Sequence, residues 1–123
     1  MTHQPVPLPA KELLVVCLCA AWCKTCAEFR ETFDKLVASN GAARFVWLDV
    51  EDDSALVGDI EIENFPTLAV FRGEQPLFYG VTMPQHGVVA RTLASLQRDD
   101  RDPVAVPDEI AALPQALSAR PAR

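Results

Sequence analysis

At 123 residues, half of them hydrophobic and 23% charged, the chain is long enough for one domain with a real core and too short for two. Seventeen acidic against eleven basic residues give a formal charge of −6, and the basic residues are scattered. Nothing here displaces counterions from a nucleic-acid backbone, so a nucleic-acid partner is excluded.

Four cysteines lie together between positions 17 and 26. A disulfide scaffold spreads its thiols to staple distant loops, and a chain this apolar folds without staples. Clustered thiols fit a reducing compartment, and a cytoplasmic location is expected. Lys11 followed by a short apolar stretch superficially suggests an export signal. The basic flank is nearly absent, however, and the stretch is too short to span a bilayer, so no membrane partner is expected.

Residues 1–12 carry Pro5, Pro7 and Pro9 at alternate positions, which disfavours helix and ladder alike and predicts an extended arm. Residues 13–19, LLVVCLC, are aliphatic without polar alternation, as in a strand covered on both faces. From Cys23 the period changes. Phe29, Phe33, Leu36 and Val37 fall on one face of a helix, which Asn40-Gly41 should end. Residues 44–50, RFVWLDV, read as a second buried strand. An acidic stretch from Glu51 to Ser54 then opens a short helix through about Asp59, its carboxylates favourably placed against the helix dipole.

Residues 67–72 and 76–81 flank Gly73-Glu74-Gln75 and predict a hairpin. A last helix from about Gln85 to Gln97 should bury Val88, Val89, Leu93 and Leu96. The order is β-α-β-α-β-β-α, an α/β fold with a mixed four-stranded sheet flanked by helices, the first β-α-β parallel. The folded core is expected over 13–97. Residues 98–123 read as a mobile or loosely docked tail, with a possible short helix carrying Ile110, Leu113 and Leu117 on one side and interrupted by Pro114.

WCKTC, residues 22–26, is where chemistry concentrates. Cys23 follows a strand and opens a helix, where unpaired backbone N–H groups and the helix dipole favour a thiolate, and Lys24 adds positive charge. Cys26 lies almost one helical turn further on, placed to attack a mixed disulfide formed at Cys23. Spacing thus assigns a nucleophile, Cys23, and a resolving thiol, Cys26.

Here the sequence resembles the thioredoxin superfamily, through Trp22-Cys23-Lys24-Thr25-Cys26, Phe65-Pro66-Thr67 before the third strand, and Gly80 in the fourth. The likeness covers about residues 13–97. It implies a minimal thioredoxin fold, since residues 1–12 leave no room for the strand and helix that open the full fold. It also implies a cis Phe65–Pro66 bond facing the cysteine pair, and a substrate groove rimmed by Trp22, Phe65, Pro66 and Gly80.

The expected activity is protein-disulfide exchange, in the reductive direction. Disulfide-containing proteins are the substrates, and another reductase or thiol donor restores the dithiol. No bound cofactor is needed, because two sulfurs hold both electrons. Lys24 and Thr25 replace the family's Gly-Pro and tune the reduction potential.

The likeness also exposes a departure. The family's buried acid, which helps deprotonate the resolving thiol, corresponds to Cys17, and the lysine often found with it corresponds to Trp47. Glu28, Asp49, a water or the Cys17 thiol stand as replacements. Cys17 and Cys19, two apart on a strand, point to one face beneath the active-site helix. They are either small buried hydrophobes or partners in a second disulfide with Cys26.

Two other functions compete. One is a thioredoxin-fold binding or redox-sensing module without turnover. The other is a four-cysteine metal protein built on C-x-C-x3-C-x2-C. His3 and His86 have no partner at catalytic spacing.

Overall fold

The uninterrupted apolar run becomes strand β1, Leu13–Cys19, with all seven residues buried. A computed structural model of the chain describes residues 13–39, 43–53, 66–82, 85–97 and 102–118. The expected N-terminal arm, Asn40-Gly41, residues 54–65 and the junction at 98–101 lie outside them. β1 pairs in parallel with β2 (Arg44–Asp49) and antiparallel with β3 (Thr67–Arg72). β4 (Gln75–Val81) completes the mixed sheet, in the order β2-β1-β3-β4. A central strand needs apolar side chains on both faces, which explains why β1 shows no polar alternation.

The two faces carry separate cores. Leu13, Val15, Cys17 and Cys19 pack with Phe29, Phe33 and Leu36 of helix α1 (Lys24–Ser39) and with Val89, Leu93 and Leu96 of helix α2 (His86–Leu96). Leu14, Val16 and Leu18 face the other way, with Val46, Leu48, Ala69 and Phe71. Val37, expected on the apolar face of α1, is 44% exposed, and Val88 is only half-buried. Each lies at the margin of its helix's apolar stripe, where contact with the sheet runs out.

β3 and β4 are joined by a two-residue turn at Gly73-Glu74, tighter than the three residues expected, and Gly73 adopts φ 61°. Only glycine enters that region without steric cost. A bulge at Val70/Phe71 accompanies Pro76, which has no N–H to give the ladder and is tolerated on an edge strand. Of the short helix expected from Glu51, residues 51–53 form a turn and the remainder lies outside the described residues.

The tail differs from the loosely held segment expected. Two short helices, α3 (Asp108–Ala111) and α4 (Leu113–Ser118), place Ile110, Leu113 and Leu117 against the second face of the sheet at 0%, 0% and 1% exposure. The Val104 amide donates to the Pro76 carbonyl at 2.8 Å, and Arg44 Nη2 donates to the Leu117 carbonyl at 3.3 Å. Pro114 falls in the first turn of α4, where a missing N–H costs little. It therefore separates two helices without undocking either. Burying these three apolar side chains against the apolar face supplies the drive for docking.

Candidate active site

β1 ends at Cys19, and the chain turns through Ala20, Ala21 and Trp22 before α1 begins at Lys24. The Cys23 amide closes that turn on the Ala20 carbonyl at 3.0 Å, and the Cys23 carbonyl accepts from the Ala27 amide at 3.1 Å. Cys23 is thus the capping residue of α1. Its Sγ accepts the Cys26 amide N–H at 3.4 Å, the bond that a capping side chain normally makes to the third helical residue. Such a bond strengthens when the acceptor carries negative charge. Cys23 is half-buried and carries a free thiol.

Beside it, Trp22 is 68% exposed, and its Nε1 donates to Glu51 Oε2 at 3.3 Å. Lys24 is exposed and Thr25 half-buried.

Cys26 faces inward at 2% exposure, and its sulfur is bonded to Cys19, not to Cys23 as the CxxC spacing leads one to expect. Cys19 stands at the end of β1 on the face covered by α1, and the two Cα atoms lie 5.9 Å apart, inside the range a disulfide requires. Cys17, two residues back on the same face, is a free thiol with its Sγ 3.7 Å from that of Cys19. Because Cys19 has no hydrogen in this state, Cys17 is the donor. Burial pushes the Cys17 thiol far above the ordinary thiol range, and the nearby Arg30 guanidinium offsets only part of that.

The position of the missing basic partner is equally informative. Trp47 pairs with Cys17 in the ladder and packs against Phe33 and Phe29 at ring separations of 5.2 and 6.3 Å. The Arg30 guanidinium lies over the Trp47 ring at 4.7 Å, so a cation returns to this neighbourhood from α1.

Of the candidate proton acceptors, Glu28 points to solvent. Asp49 is committed to the turn after β2: its Oδ1 accepts the Asp52 and Glu51 amides at 2.9 and 2.8 Å. Those backbone bonds, the Asp52 one foremost, hold its carboxyl below the usual range despite some desolvation, and make it a poorer base.

Pro66 is buried, and its carbonyl accepts the Thr82 amide at 3.1 Å. Since Leu18 lies opposite Thr67, the register brings Pro66 to the same end of the sheet as Cys19. Gly80 stands two rungs further in, across Leu68 from Cys17. A Cβ on Gly80 would meet only the Phe78 ring, at 3.7 Å, so packing alone does not demand glycine there. Phe65, and with it the Phe65–Pro66 bond, lies outside the described residues.

The structure therefore gathers all four cysteines into one cluster at the head of α1. The sequence pointed to each of them and left a second disulfide of Cys17 or Cys19 with Cys26 as one of two readings; the structure joins Cys26 to Cys19 and leaves Cys17 free. The available signal for the partner of Cys26 was that Cys19 lies on the strand face beneath that helix. The four-cysteine metal reading is not supported: two of the sulfurs are joined to each other, and among the described residues no group of three or more His, Cys, Asp or Glu is placed to hold a metal ion. No helix among the described residues is long and apolar enough to cross a membrane.

Comparison with known proteins agrees with this geometry. The family model described as Thioredoxin matches residues 4–99. Among solved structures, the germline-specific thioredoxin Deadhead of Drosophila melanogaster superposes with a TM-score of 0.61 at 22% identity, covering 70% of this chain and 82% of that one. Fasciola hepatica thioredoxin gives a TM-score of 0.62 at 16% identity, covering 69% and 81%. Malassezia sympodialis thioredoxin gives 0.61 at 20% identity, covering 76% and 82%. No curated protein sequence matches. At these identities the superpositions speak for the fold, while the family model covers most of the chain, WCKTC included. Fold, motif and a disulfide-forming cysteine pair at the head of α1 support thiol–disulfide exchange as the kind of chemistry, and the chain belongs to the thioredoxin family.

Proposed function

We propose that the chain is a cytoplasmic thiol–disulfide oxidoreductase that reduces disulfides in protein substrates. The observation that carries this reading is the Cys23 sulfur: free, half-buried beside an exposed tryptophan, and receiving a helix N-terminal amide.

In the reduced protein Cys23 attacks one sulfur of a substrate disulfide. A Cys23–substrate bond forms, the substrate's own S–S bond breaks, and the departing sulfur takes a proton. Cys26 then attacks Cys23, giving Cys23–Cys26 and releasing the second substrate thiol. The substrate gains two electrons and two protons, and a thiol donor restores the dithiol. Trp22, Pro66 and Gly80 form the rim on which an extended substrate segment adds as a strand. Lys24 and Thr25 set the potential of the pair.

Insulin reduction tests the assignment. Cys23→Ser should abolish it, and full activity in that variant would contradict the reading. A binding or sensing module without turnover would reduce no insulin at all, in the unaltered chain included.

A further inference from the structure

Cys26 belongs to two pairs. Its amide holds the Cys23 sulfur, and its own sulfur is bonded to Cys19. We propose that Cys19 is a second resolving thiol, which moves the active-site disulfide one step inward, from Cys23–Cys26 to Cys19–Cys26. This rests on the function proposed above, which supplies the Cys23–Cys26 disulfide.

The exchange is balanced without any outside oxidant. The Cys19 sulfur attacks Cys26 Sγ, a Cys19–Cys26 bond forms, the Cys23–Cys26 bond breaks, and the Cys19 proton ends on Cys23. One disulfide and one thiol are consumed, and one of each is formed.

Three features favour the inward position. Cys19 is fixed on a strand, on the face covered by α1, with its Cα 5.9 Å from that of Cys26, within disulfide reach. The departing Cys23 sulfur is held by the Cys26 N–H at 3.4 Å, which receives it as the bond breaks. The Cys17 thiol, 3.7 Å from Cys19 Sγ, donates to that sulfur and steadies charge on it during attack.

The consequence is a parked oxidised state. Cys19 and Cys26 are 1% and 2% exposed, so a reducing partner cannot reach their bond directly. Cys23 is meanwhile returned as a free, half-buried thiol. Reduction has to run back through Cys23, which reattacks Cys26 and only then offers an accessible disulfide.

Disulfide mapping tests this. Reduced chain is treated with one equivalent of insulin, alkylated with N-ethylmaleimide without denaturation, then digested with trypsin, which separates Cys26 from the other cysteines at Lys24. The proposal expects a Cys19–Cys26 link with close to one equivalent of label on Cys23. In Cys19→Ala the link becomes Cys23–Cys26 and the label on Cys23 falls to background.

A wild-type chain holding only Cys23–Cys26 would overturn the relay and leave the oxidoreductase reading standing. A chain that gains no disulfide from insulin, or whose Cys23→Ser variant is oxidised equally fast, would overturn both. Mapping of the wild-type chain decides the matter even where Cys19→Ala does not fold.

Discussion

The Cys26 amide points at the Cys23 sulfur from 3.4 Å, while the Cys26 side chain turns the opposite way, into the core. One residue thus caps the reactive sulfur with its backbone and keeps its own sulfur dry. Serine is a strong helix-capping residue, so Cys23→Ser should keep the capping bond and change stability by less than about 0.5 kcal/mol, while insulin reduction disappears. Urea denaturation beside the activity assay separates the two effects. A collapse of stability in this variant would mean that Cys23 is structural.

Arg30, Trp47 and the phenylalanines of α1 form the wall behind Cys17. Removing the Trp47 ring should cost about 3 kcal/mol, because an aromatic side chain at this contact leaves a cavity that the sheet cannot close. Arg30→Ala should cost about 1 kcal/mol, mostly through the lost contact with the ring, since the ion pair of Arg30 with Asp34 is exposed. Denaturation midpoints of both variants check the ranking; equal costs would show that the ring is not the main contact.

The C-terminal helices make a third case. Leu113→Ala should destabilise the chain by about 2–5 kcal/mol, comparable with a core leucine of the sheet. Truncation after Gln97 should expose Leu14, Val16, Leu18 and Phe71 and leave an aggregating protein. A truncated chain that stays monomeric and as stable as the full one would show that these helices contribute nothing to the core.

Cys17 sets a pH dependence. Its thiol holds a proton more tightly folded than unfolded, so the unfolded chain binds fewer protons once pH passes the ordinary thiol value near 9. Stability is therefore at its full value below that pH and falls above it, by up to about 1.4 kcal/mol per pH unit from this group. Tyr79, also raised by burial, acts in the same direction at higher pH. Comparing wild type with Cys17→Ala cancels the tyrosine: the variant should show a shallower alkaline decline in urea-derived stability. Parallel declines would contradict the burial account.

Much of this architecture was legible before any coordinates. The run at 13–19, the stripe through Phe29, Phe33 and Leu36, and the Gly73 turn each state a local preference that the fold keeps. The helical spacing of Ile110, Leu113 and Leu117 was also visible. Where that stripe would dock was not, because it depends on a sheet face assembled from β1, β2 and β3. For the same reason the spacing alone does not choose between Cys17, Cys19 and Cys23 as the partner of Cys26. Cys23 is three positions from Cys26 along a helix, whereas Cys19 reaches it only after strand and helix have packed.

The most direct measurement is covalent capture on a resolving-thiol variant. Cys26→Ser, mixed with insulin and quenched in acid, should accumulate a disulfide-linked adduct whose mass and fragments place the bond on Cys23. The Cys23→Ser/Cys26→Ser pair should accumulate none. An adduct on Cys17 or Cys19, or equal capture by the double variant, would mean that the reacting sulfur has been misassigned.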